Sequence, residues 1–504
     1  MLRSALAIVL LLSCLGAHAG NFPRPAALEP AVQFWIKVYT EVSTSQGYLH
    51  DDENLAVVYE RLDFDPYTSR SQRQRLENSA KARIASALNA IARGKRSNLN
   101  STEARVLAAW PEGTSANTFA AAAHNVRFQL GQSDRFREGL VRSGQWKPYI
   151  RQVLAAHELP QELEVLPHVE SSFNPSAYSK VAAAGMWQFM PTTARDFMRV
   201  DHVVDERLDP FTATEGAARL LKRNYAITGT WPLALTAYNH GTGGVLRASR
   251  HVGTRDIGVI AQRYRGPAFG FASRNFYPSF LAALEIDRHA DRYFGALQLD
   301  APTPYDTVIV RDFVSARALA QTAGISVEEM KQHNPALRDP VWSGEKHIPA
   351  GYALRIPQAR VGQPLEQLVA TLPGTARFSH QKPDLTHRIR PGDSLSVIAS
   401  RYGTTVAKLM ALNGMRNHNI RAGRTLILPG NVMSEPAMAS RSVSVAAAAP
   451  AGEYVIRKGD SLWSIARRFQ VSQRDLVAWN GISPNSYIKP GQKLRVSGGT
   501  HRQG

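Results

Sequence analysis

Three short stretches carry the residue types from which an active site could be built. They are VESSF at 169–173, AGMWQFMPTTA at 184–194 and TAYNHG at 236–241. The first places one carboxylate, Glu170, where an apolar stretch ends in two serines, and a carboxyl group can act as a general acid or base. Taken singly, the second stretch is typical of a protein core and the third of a helix that ends at a glycine. Only the three stretches together indicate an active site.

Several other chemistries lack the residues that they need. HELPQ at 157–161 has Gln161 where a zinc-binding HExxH helix requires its second histidine. The chain has no GxSxG elbow for a serine nucleophile and no GxxxxGK[ST] loop for phosphates. The neighbouring acids at 51–53 are more typical of a solvated helix start than of a metal site. We predict no metal site and no cofactor.

The elements around these stretches are expected to be helices. KPYIRQVLAAHEL at 147–159 places apolar residues on one broad face, and TATEGAARLLKRNYAI and RNFYPSFLAALEI follow the same period. Residues 31–144 also have a helical pattern. A hydrophobic content of 44% and a charged content of 20% are those of a folded globular protein.

The C-terminal part contains an internal repeat. Residues 387–429 align with residues 454–496 at an offset of 67, with 13 of the first 28 positions identical. Each copy begins with a strand-like run and a Gly-Asp turn, continues through two short amphipathic helices to Asn-Gly, and ends in a basic strand. The pattern predicts a strand–helix–helix–strand unit that occurs twice.

These units resemble LysM modules, a family that binds glycans containing N-acetylglucosamine. The resemblance implies a shallow groove between the first turn and the loop after the second helix. The implied glycan-binding residues are Gly392, Asp393, Ser394, Asn413, Gly459, Asp460, Ser461 and Asn480. Residues 303–358 end in the same way but lack the Gly-Asp turn, and we interpret them as a degenerate third copy whose glycan binding is open.

In their order and spacing, the three chemical stretches are similar to the motifs of lytic transglycosylases in the goose-type lysozyme superfamily, in particular to membrane-bound forms with C-terminal LysM repeats. The family motif E-S corresponds to Glu170-Ser171, G-[LIM]-[MW]-Q to residues 185–188, and A-Y-N-x-G to residues 237–241. The resemblance covers residues 146–290 and the LysM units. It implies a lysozyme-like, mainly helical fold.

The same resemblance assigns roles to residues. Glu170 would be the sole catalytic acid and base. The implied substrate-binding residues are Ser171, Ser179, Met186, Gln188, Tyr238 and Asn239. One departure concerns the last helix, where ASRNFYPSF replaces the family's run of an acidic residue, Thr, Arg or Gln, any residue, Tyr and Val. We expect the hydroxyl of Tyr277 to replace the missing one; the alternative is that this contact is absent.

The resemblance implies a non-hydrolytic cleavage of peptidoglycan. Most glycosidases use two carboxylates, whereas only one motif carboxylate is evident here. In the family, the C6 hydroxyl of N-acetylmuramic acid (MurNAc) attacks its own C1 and yields a 1,6-anhydro end. The predicted partner is thus the peptidoglycan glycan strand. The alternatives are a hydrolytic muramidase and a catalytically silent wall-binding scaffold.

The N-terminus and the charge indicate where such a protein would act. Residues 1–19 have the short basic, apolar and small-residue regions of a signal peptide. We therefore predict export to the periplasm or to the periplasmic face of the outer membrane. The single cysteine, Cys14, also lies in a lipobox-like LLSC, so an acyl anchor is the alternative to simple cleavage after residue 19.

The C-terminal part of the chain is basic. Residues 387–504 carry 17 Lys/Arg and 5 Asp/Glu, a balance of +12. This charge suits an anionic wall or lipid surface, and we predict no nucleic-acid partner.

The predicted class is α+β: a mainly helical, lysozyme-like catalytic domain with an N-terminal helical region, followed by small βααβ modules. The predicted boundaries are 1–19 signal peptide, 20–144 N-terminal helical region, 145–295 catalytic domain, 303–358 degenerate LysM-like module, 386–430 first LysM, 431–452 linker and 453–497 second LysM.

Overall fold

The computed structural model describes residues 20–415, 417–429 and parts of 453–496. In the last range the described residues are 453–456, 462, 465–466, 469, 471, 473–482, 488 and 491–496. The predictions for the signal peptide, Cys14, the linker, Gly459, Asp460 and Ser461 lie outside the described residues. The chain divides into two compact units, Met1–Val432 and Met433–Gly504.

The N-terminal region combines helices with a small sheet. After α1 (Glu29–Thr40), the strands β1 (Gln46–Asp51), β2 (Val58–Asp63) and β3 (Val126–Leu130) pair in the antiparallel order β2-β1-β3. The helices between β2 and β3 are α2 (Arg70–Ala92), α3 (Ser101–Ala108) and α4 (Ala116–Ala122). The predicted N-terminal helical region, residues 20–144, thus also contains a three-stranded sheet that the sequence pattern did not indicate. Tyr, Leu and Val side chains of β1 and β2 pack well on a half-buried sheet, and the short hairpin does not interrupt the helical pattern around it.

Helices dominate the region that carries the three chemical stretches. They are α5 (Ser133–Ala156), α6 (Leu166–Ser171), α7 (Pro191–Ala194), α8 (Pro210–Thr228), α9 (Trp231–His240), α10 (Thr242–Val252), α11 (Ile257–Arg263), α12 (Phe271–Arg288) and α13 (Ala290–Phe294). The predicted start of the catalytic domain at residue 145 falls inside α5. One continuous apolar core joins these helices to α1 of the N-terminal region.

Local sequence explains where the longer helices begin and end. Asp209 accepts hydrogen bonds from the backbone of Phe211 and Thr212 at the start of α8, and Pro210 fills the first turn. Thr230 caps α9 in the same way, accepting from the backbone N–H of Leu233. These caps fix the two helices that lead into the site.

The rest of the first unit is built of small α/β modules. Its elements are β4 (Tyr305–Ile309), β5 (Phe313–Val314), α14 (Ala316–Ala323), α15 (Val327–His333), α16 (Asp339–Trp342), β6 (Ala353–Pro357), α17 (Leu365–Ala370), β7 (Arg377–Phe378), β8 (Leu385–Arg388), α18 (Leu395–Arg401), α19 (Val406–Leu412) and β9 (Thr425–Leu428). β4 pairs with β6, β5 with β7, and β8 with β9, all antiparallel.

The second unit contains β10 (Glu453–Val455), α20 (Gln473–Asn480) and β11 (Lys493–Arg495), with β10 and β11 antiparallel. The expected α+β class, mainly helical with small antiparallel sheets, is confirmed.

In each of the three βααβ modules, one asparagine side chain fastens the second helix to the closing strand through three hydrogen bonds. The side-chain amide of Asn413 donates to the carbonyls of Leu409 and Ile427 and accepts from the backbone N–H of Ile427, all at 2.8 Å. Asn334 and Asn480 make the equivalent three bonds between their own helix and closing strand. The module at 303–358 therefore has the same internal fastening as the two repeat copies, which supports its interpretation as a third copy.

Candidate active site

Glu170 lies at the end of a short helix that stops abruptly. Pro167 is in the first turn of α6, where its missing N–H would have had no intrahelical partner. Ser172 and Phe173 then adopt left-handed backbone angles, with φ of 52° and 56°, and the chain turns back so that Phe173 N–H bonds to the Pro167 carbonyl at 3.1 Å. Left-handed backbone is costly for residues other than glycine and is concentrated at functional sites. Glu170 is therefore the second-last residue of α6, directly before this sharp turn.

The carboxyl group of Glu170 is desolvated by the surrounding protein. Burial raises its pKa from 4.5 to about 8, and no other charged group contributes to the shift. Among the described residues, no side chain forms a hydrogen bond or an ion pair with this carboxyl group. A carboxylic acid with these properties is protonated at neutral pH and can donate its proton.

A tight loop, residues 177–189, faces the end of α6. Ser171 Oγ donates to the carbonyl of Met186 at 2.8 Å and accepts from the N–H of Asn174 at 3.1 Å, so it joins α6 to this loop. Ser179 Oγ accepts from the N–H of Ala183 at 2.9 Å. Met186 is buried. These three residues hold the loop in place, and their predicted contacts with a sugar stay predictions.

Gly185 shows how closely this loop is packed. Its φ is +80°, and a Cβ at this position would lie 1.7 Å from the carbonyl oxygen of Arg207. Gln188 has a left-handed φ of 47°, and its side-chain amide donates to the carbonyls of Ala177 and Gly185 at 3.3 and 2.8 Å. The glycine of the second motif is thus required by geometry.

The third motif meets the second at the end of α9. Tyr238 Oη donates to the carbonyl of Trp187 at 2.8 Å. Burial raises the pKa of Tyr238, and the charge of Glu170 raises it further. Asn239 is exposed, and Ser273 Oγ lies 3.4 Å from its Oδ1 and 3.0 Å from Nδ1 of His240. The structure therefore brings the three predicted stretches together around Glu170.

The expectation for Tyr277 was wrong. Its side chain is fully buried, and its hydroxyl donates to the carbonyl of Pro23 at 2.7 Å. The helical phase of α12 directs Tyr277 towards the N-terminal segment, so it does not line the site.

Tyr39, a residue of α1, is the phenol that the sequence analysis missed. It is buried and packs on Phe136 with ring centroids 4.9 Å apart. Burial raises the pKa of Tyr39, a hydrogen bond with Ser279 opposes the shift, and the charge of Glu170 adds to it. No local sequence signal could have found Tyr39, because it precedes Glu170 by more than a hundred residues.

A buried charge cluster supports α6 from behind. His168 stacks on Phe136 at 4.5 Å, and its Nε2 donates to Asp287 of α12 at 3.1 Å. Lys147 binds both oxygens of the same carboxylate at 2.6 Å. Burial alone would raise the pKa of Asp287, but the bonds and charges of His168 and Lys147 outweigh it and hold the pKa at about 2. Burial lowers the pKa of His168, and the hydrogen bond and charge of Asp287 oppose this shift.

The predicted LysM residues are used largely inside their own module. Asp393 is buried and accepts from the imidazole of His387 and the N–H of Arg390, both at 2.8 Å. Ser394 caps α18 by accepting from the N–H of Val397 at 3.2 Å, and Gly392 has a φ of +88°. The side chains of Asn413 and Asn480 are occupied by the fastening described above. Their direct contact with a glycan stays a prediction.

The residues that the structure describes offer neither a metal-binding cluster nor a membrane-spanning helix. No group of three or more His, Cys, Asp or Glu side chains there could hold a metal ion. No helix in those residues is long and apolar enough to cross a membrane.

Comparison with known families identifies the domains. Residues 149–260 match the transglycosylase SLT domain, and residues 387–429 and 454–497 match the LysM domain. The chain therefore joins one region that matches the SLT domain to two regions that match the LysM domain.

Several proteins are similar to parts of this chain. Membrane-bound lytic murein transglycosylase D of Escherichia coli (strain K12) is 28% identical over 399 residues, which cover 74% of this chain and 83% of that protein. N-acetylmuramoyl-L-alanine amidase sle1 of Staphylococcus epidermidis (strain RP62A) is 29% identical over 193 residues, 37% of this chain and 57% of that protein. The spore cortex-lytic enzyme SleL of Bacillus cereus matches 23% of each chain at 27% identity, with a TM-score of 0.10 that supports no structural argument.

Proposed function

We propose that this protein is a peptidoglycan lytic transglycosylase that cleaves the β-1,4 bond between MurNAc and N-acetylglucosamine and leaves 1,6-anhydro-MurNAc ends. The observation that carries the proposal is Glu170: a single carboxyl group whose pKa burial raises to about 8, with no second charged group acting on it. The SLT match and the similarity to lytic murein transglycosylase D support the same activity.

The reaction needs one acid that later serves as a base. Glu170 is protonated at neutral pH and donates its proton to the glycosidic oxygen as the bond from C1 to that oxygen breaks. The C6 hydroxyl of the same MurNAc attacks C1, forms the new C1–O6 bond and returns its proton to the Glu170 carboxylate. Because the nucleophile belongs to the substrate, the enzyme contributes orientation and proton transfer and needs no second carboxylate. In class the enzyme is a carbon–oxygen lyase acting on a polysaccharide, like glycoside hydrolase family 23.

Substrate contacts are assigned to the residues around Glu170. Gln188, Tyr238 and Asn239 are proposed to line the sugar groove, together with Ser179 and the backbone around Met186. Tyr39 is buried and receives no substrate contact; we propose only that its phenol influences the charge of Glu170. Tyr277 is omitted for the reasons given above.

The two LysM domains supply the attachment to the wall. Each module binds glycan weakly, and tethering raises the effective concentration of the catalytic domain at the strand. We therefore propose that the protein acts outside the cytoplasm, at the cell wall. Export by residues 1–19 to the periplasm, with an acyl anchor in the outer membrane if Cys14 is processed, belongs to the same proposal. Subcellular fractionation of a Cys14→Ser variant tests the anchor.

Purified peptidoglycan sacculi test the activity. We expect soluble muropeptides that are one water lighter than those of a muramidase digest. Glu170→Gln should abolish their release while the variant still sediments with sacculi. Products of hydrolytic mass would replace the proposal with a muramidase, and full activity of Glu170→Gln would remove Glu170 from the acid/base role.

A further inference from the structure

The third βααβ module faces the catalytic region with the side that the family resemblance assigns to glycan binding. In the first LysM copy, the predicted groove includes the loop after Asn413. The equivalent loop here follows Asn334, and it pairs with the catalytic region: Asp205 N–H bonds to Ala336 O at 2.8 Å, and Arg338 N–H to Val203 O at 2.9 Å. A further bridge joins Val204 and Leu337. The chain's own backbone therefore covers this side of the module.

The covering segment, residues 200–209, is fixed by the module. Val203 and Val204 are 4% and 0% exposed, and both belong to the apolar core of the module rather than to the catalytic core. Removal of two valine side chains from water stabilises this contact through the hydrophobic effect. The module thus determines where residues 200–209 lie.

That segment in turn holds the active-site loop. Arg207 binds both oxygens of Asp205 at 2.8 Å, and both side chains are buried. Nη1 of Arg207 donates to the carbonyls of Ala182 and Phe189 at 2.7 and 3.0 Å. These carbonyls lie on both sides of Gly185, whose α-carbon packs on the backbone of Arg207. One arginine therefore fixes the loop that carries Gln188.

Two arginines of the module secure this arrangement at its ends. Arg338 Nη1 donates to Tyr178 Oη at 2.5 Å and lies 3.7 Å from Asp205 Oδ2. Arg355 Nη1 donates to Asp209 Oδ2 at 2.7 Å, and its guanidinium stacks over the ring of Phe211 at 4.5 Å. Arg338 contacts Asp205, Asp205 binds Arg207, and Arg207 binds the active-site loop, so these contacts connect the module to that loop.

We propose that the module at 303–358 is a positioning element of the active site: through Arg338, Asp205 and Arg207 it holds loop 177–189 in its catalytic geometry, and it does not serve as a third glycan-binding module. The inference goes beyond the proposed function and depends on it only for the activity measurement. Arg338 acts through other residues and is a positioning residue.

Arg338→Ala tests the proposal, with Arg360→Ala as the matched control. Arg360 belongs to the same module, but its guanidinium pairs with Glu329 of that module and not with the catalytic region. We expect Arg338→Ala to lower kcat on soluble glycan strands by roughly tenfold or more, because displacement of an active-site group by about 1 Å costs up to 100-fold. KM and sedimentation with sacculi should change less than twofold, and Arg338→Lys should recover part of the rate.

Hydrogen exchange gives a second measurement that needs no activity. Backbone amides of residues 177–189 should exchange faster in Arg338→Ala and in the double variant Val203→Ser/Val204→Ser, and at the wild-type rate in Arg360→Ala. Unchanged exchange and unchanged kcat in Arg338→Ala would overturn the proposal, as would faster exchange without any loss of kcat. If the wild-type protein does not cleave glycan at all, the proposed function fails, and the exchange rates alone decide whether the module holds the loop.

Discussion

At the scale of single residues, the proposed reaction depends on a carboxylic acid that the fold keeps protonated. The ordinary pKa of a glutamate is 4.5, and burial raises that of Glu170 to about 8. Between these values the folded protein retains a proton that the unfolded chain releases, so the free energy of unfolding falls as the pH rises from 4.5 to 8. Glu170 therefore lowers the free energy of unfolding at neutral pH.

Glu170→Gln should therefore stabilise the protein while it abolishes cleavage. We expect a higher Tm for the variant, by a few degrees for a gain of about 1–2 kcal/mol. The gain should be larger at pH 8 than at pH 5, where the folded wild-type acid is protonated and the unfolded one only partly ionised. Differential scanning calorimetry at both pH values measures it. A gain that is independent of pH, or a loss of stability, would contradict a raised pKa.

Gly185 is the second residue whose type is dictated by geometry. Gly185→Ala introduces a Cβ that meets the carbonyl oxygen of Arg207, at a backbone angle that alanine avoids. We expect a loss of roughly 2–4 kcal/mol in the free energy of unfolding, measured by urea denaturation. Gly270→Ala is the control, because the space around Gly270 is open and its φ is −84°. Equal stability of the two variants would show that the loop can shift to accommodate a side chain.

At the scale of elements, the active site is a short helix held by longer ones. α6 has six residues, too few to be stable alone, and its position depends on His168 and Asp287. The sequence motifs predicted the residues around Glu170, because those residues lie in local, recognisable stretches. The supports could not be predicted in this way: Asp287 is 119 residues from His168, and Tyr39 comes from a helix for which the sequence suggested no chemistry.

Tertiary packing also explains why the hydroxyl of Tyr277 does not face the site, contrary to what the sequence had led us to expect. The sequence shows that a hydroxyl is displaced in the last helix, but not which way the helix faces. Packing of α12 against the N-terminal segment directs Tyr277 to Pro23, while α1 brings Tyr39 towards Glu170. Orientation of this kind follows from tertiary packing and not from local pattern.

His168→Phe tests the support of α6. The ring is retained for stacking on Phe136, but the hydrogen bond to Asp287 is lost, so we expect a loss of roughly 1–3 kcal/mol in the free energy of unfolding and a lower kcat. His157→Phe is the matched control, since His157 pairs with the half-exposed Glu215 at the surface and should change stability by less than about 0.5 kcal/mol. Chemical denaturation and initial rates on sacculi provide the comparison, and equal behaviour of the two variants would contradict the supporting role.

At the scale of the whole molecule, catalysis and wall attachment belong to different parts of the chain. The repeat at 387–429 and 454–496 predicted the two LysM domains, and the shared asparagine fastening extends the pattern to residues 303–358. Only the structure shows that the module at 303–358 packs its loop after Asn334 against the catalytic region. Sequence similarity indicates a common fold for the copies but cannot show which of them has taken another role.

Removal of the second unit, residues 433–504, tests this division of tasks. We expect the truncated protein to bind insoluble peptidoglycan roughly 10- to 100-fold more weakly, because one tethered module is lost. Its kcat on soluble glycan strands should equal that of the full chain. Sedimentation and product release measure the two quantities. A parallel loss of kcat would mean that the second unit contributes to catalysis itself.

The central claim is that the substrate's own C6 hydroxyl, and not water, ends the reaction at Glu170. Digestion of sacculi in water enriched in ¹⁸O tests it most directly, with mass analysis of the new MurNAc ends. We expect anhydro ends that are one water lighter than hydrolytic products and carry no ¹⁸O. Incorporation of one ¹⁸O at C1 of each new end would contradict it and identify the protein as a hydrolase.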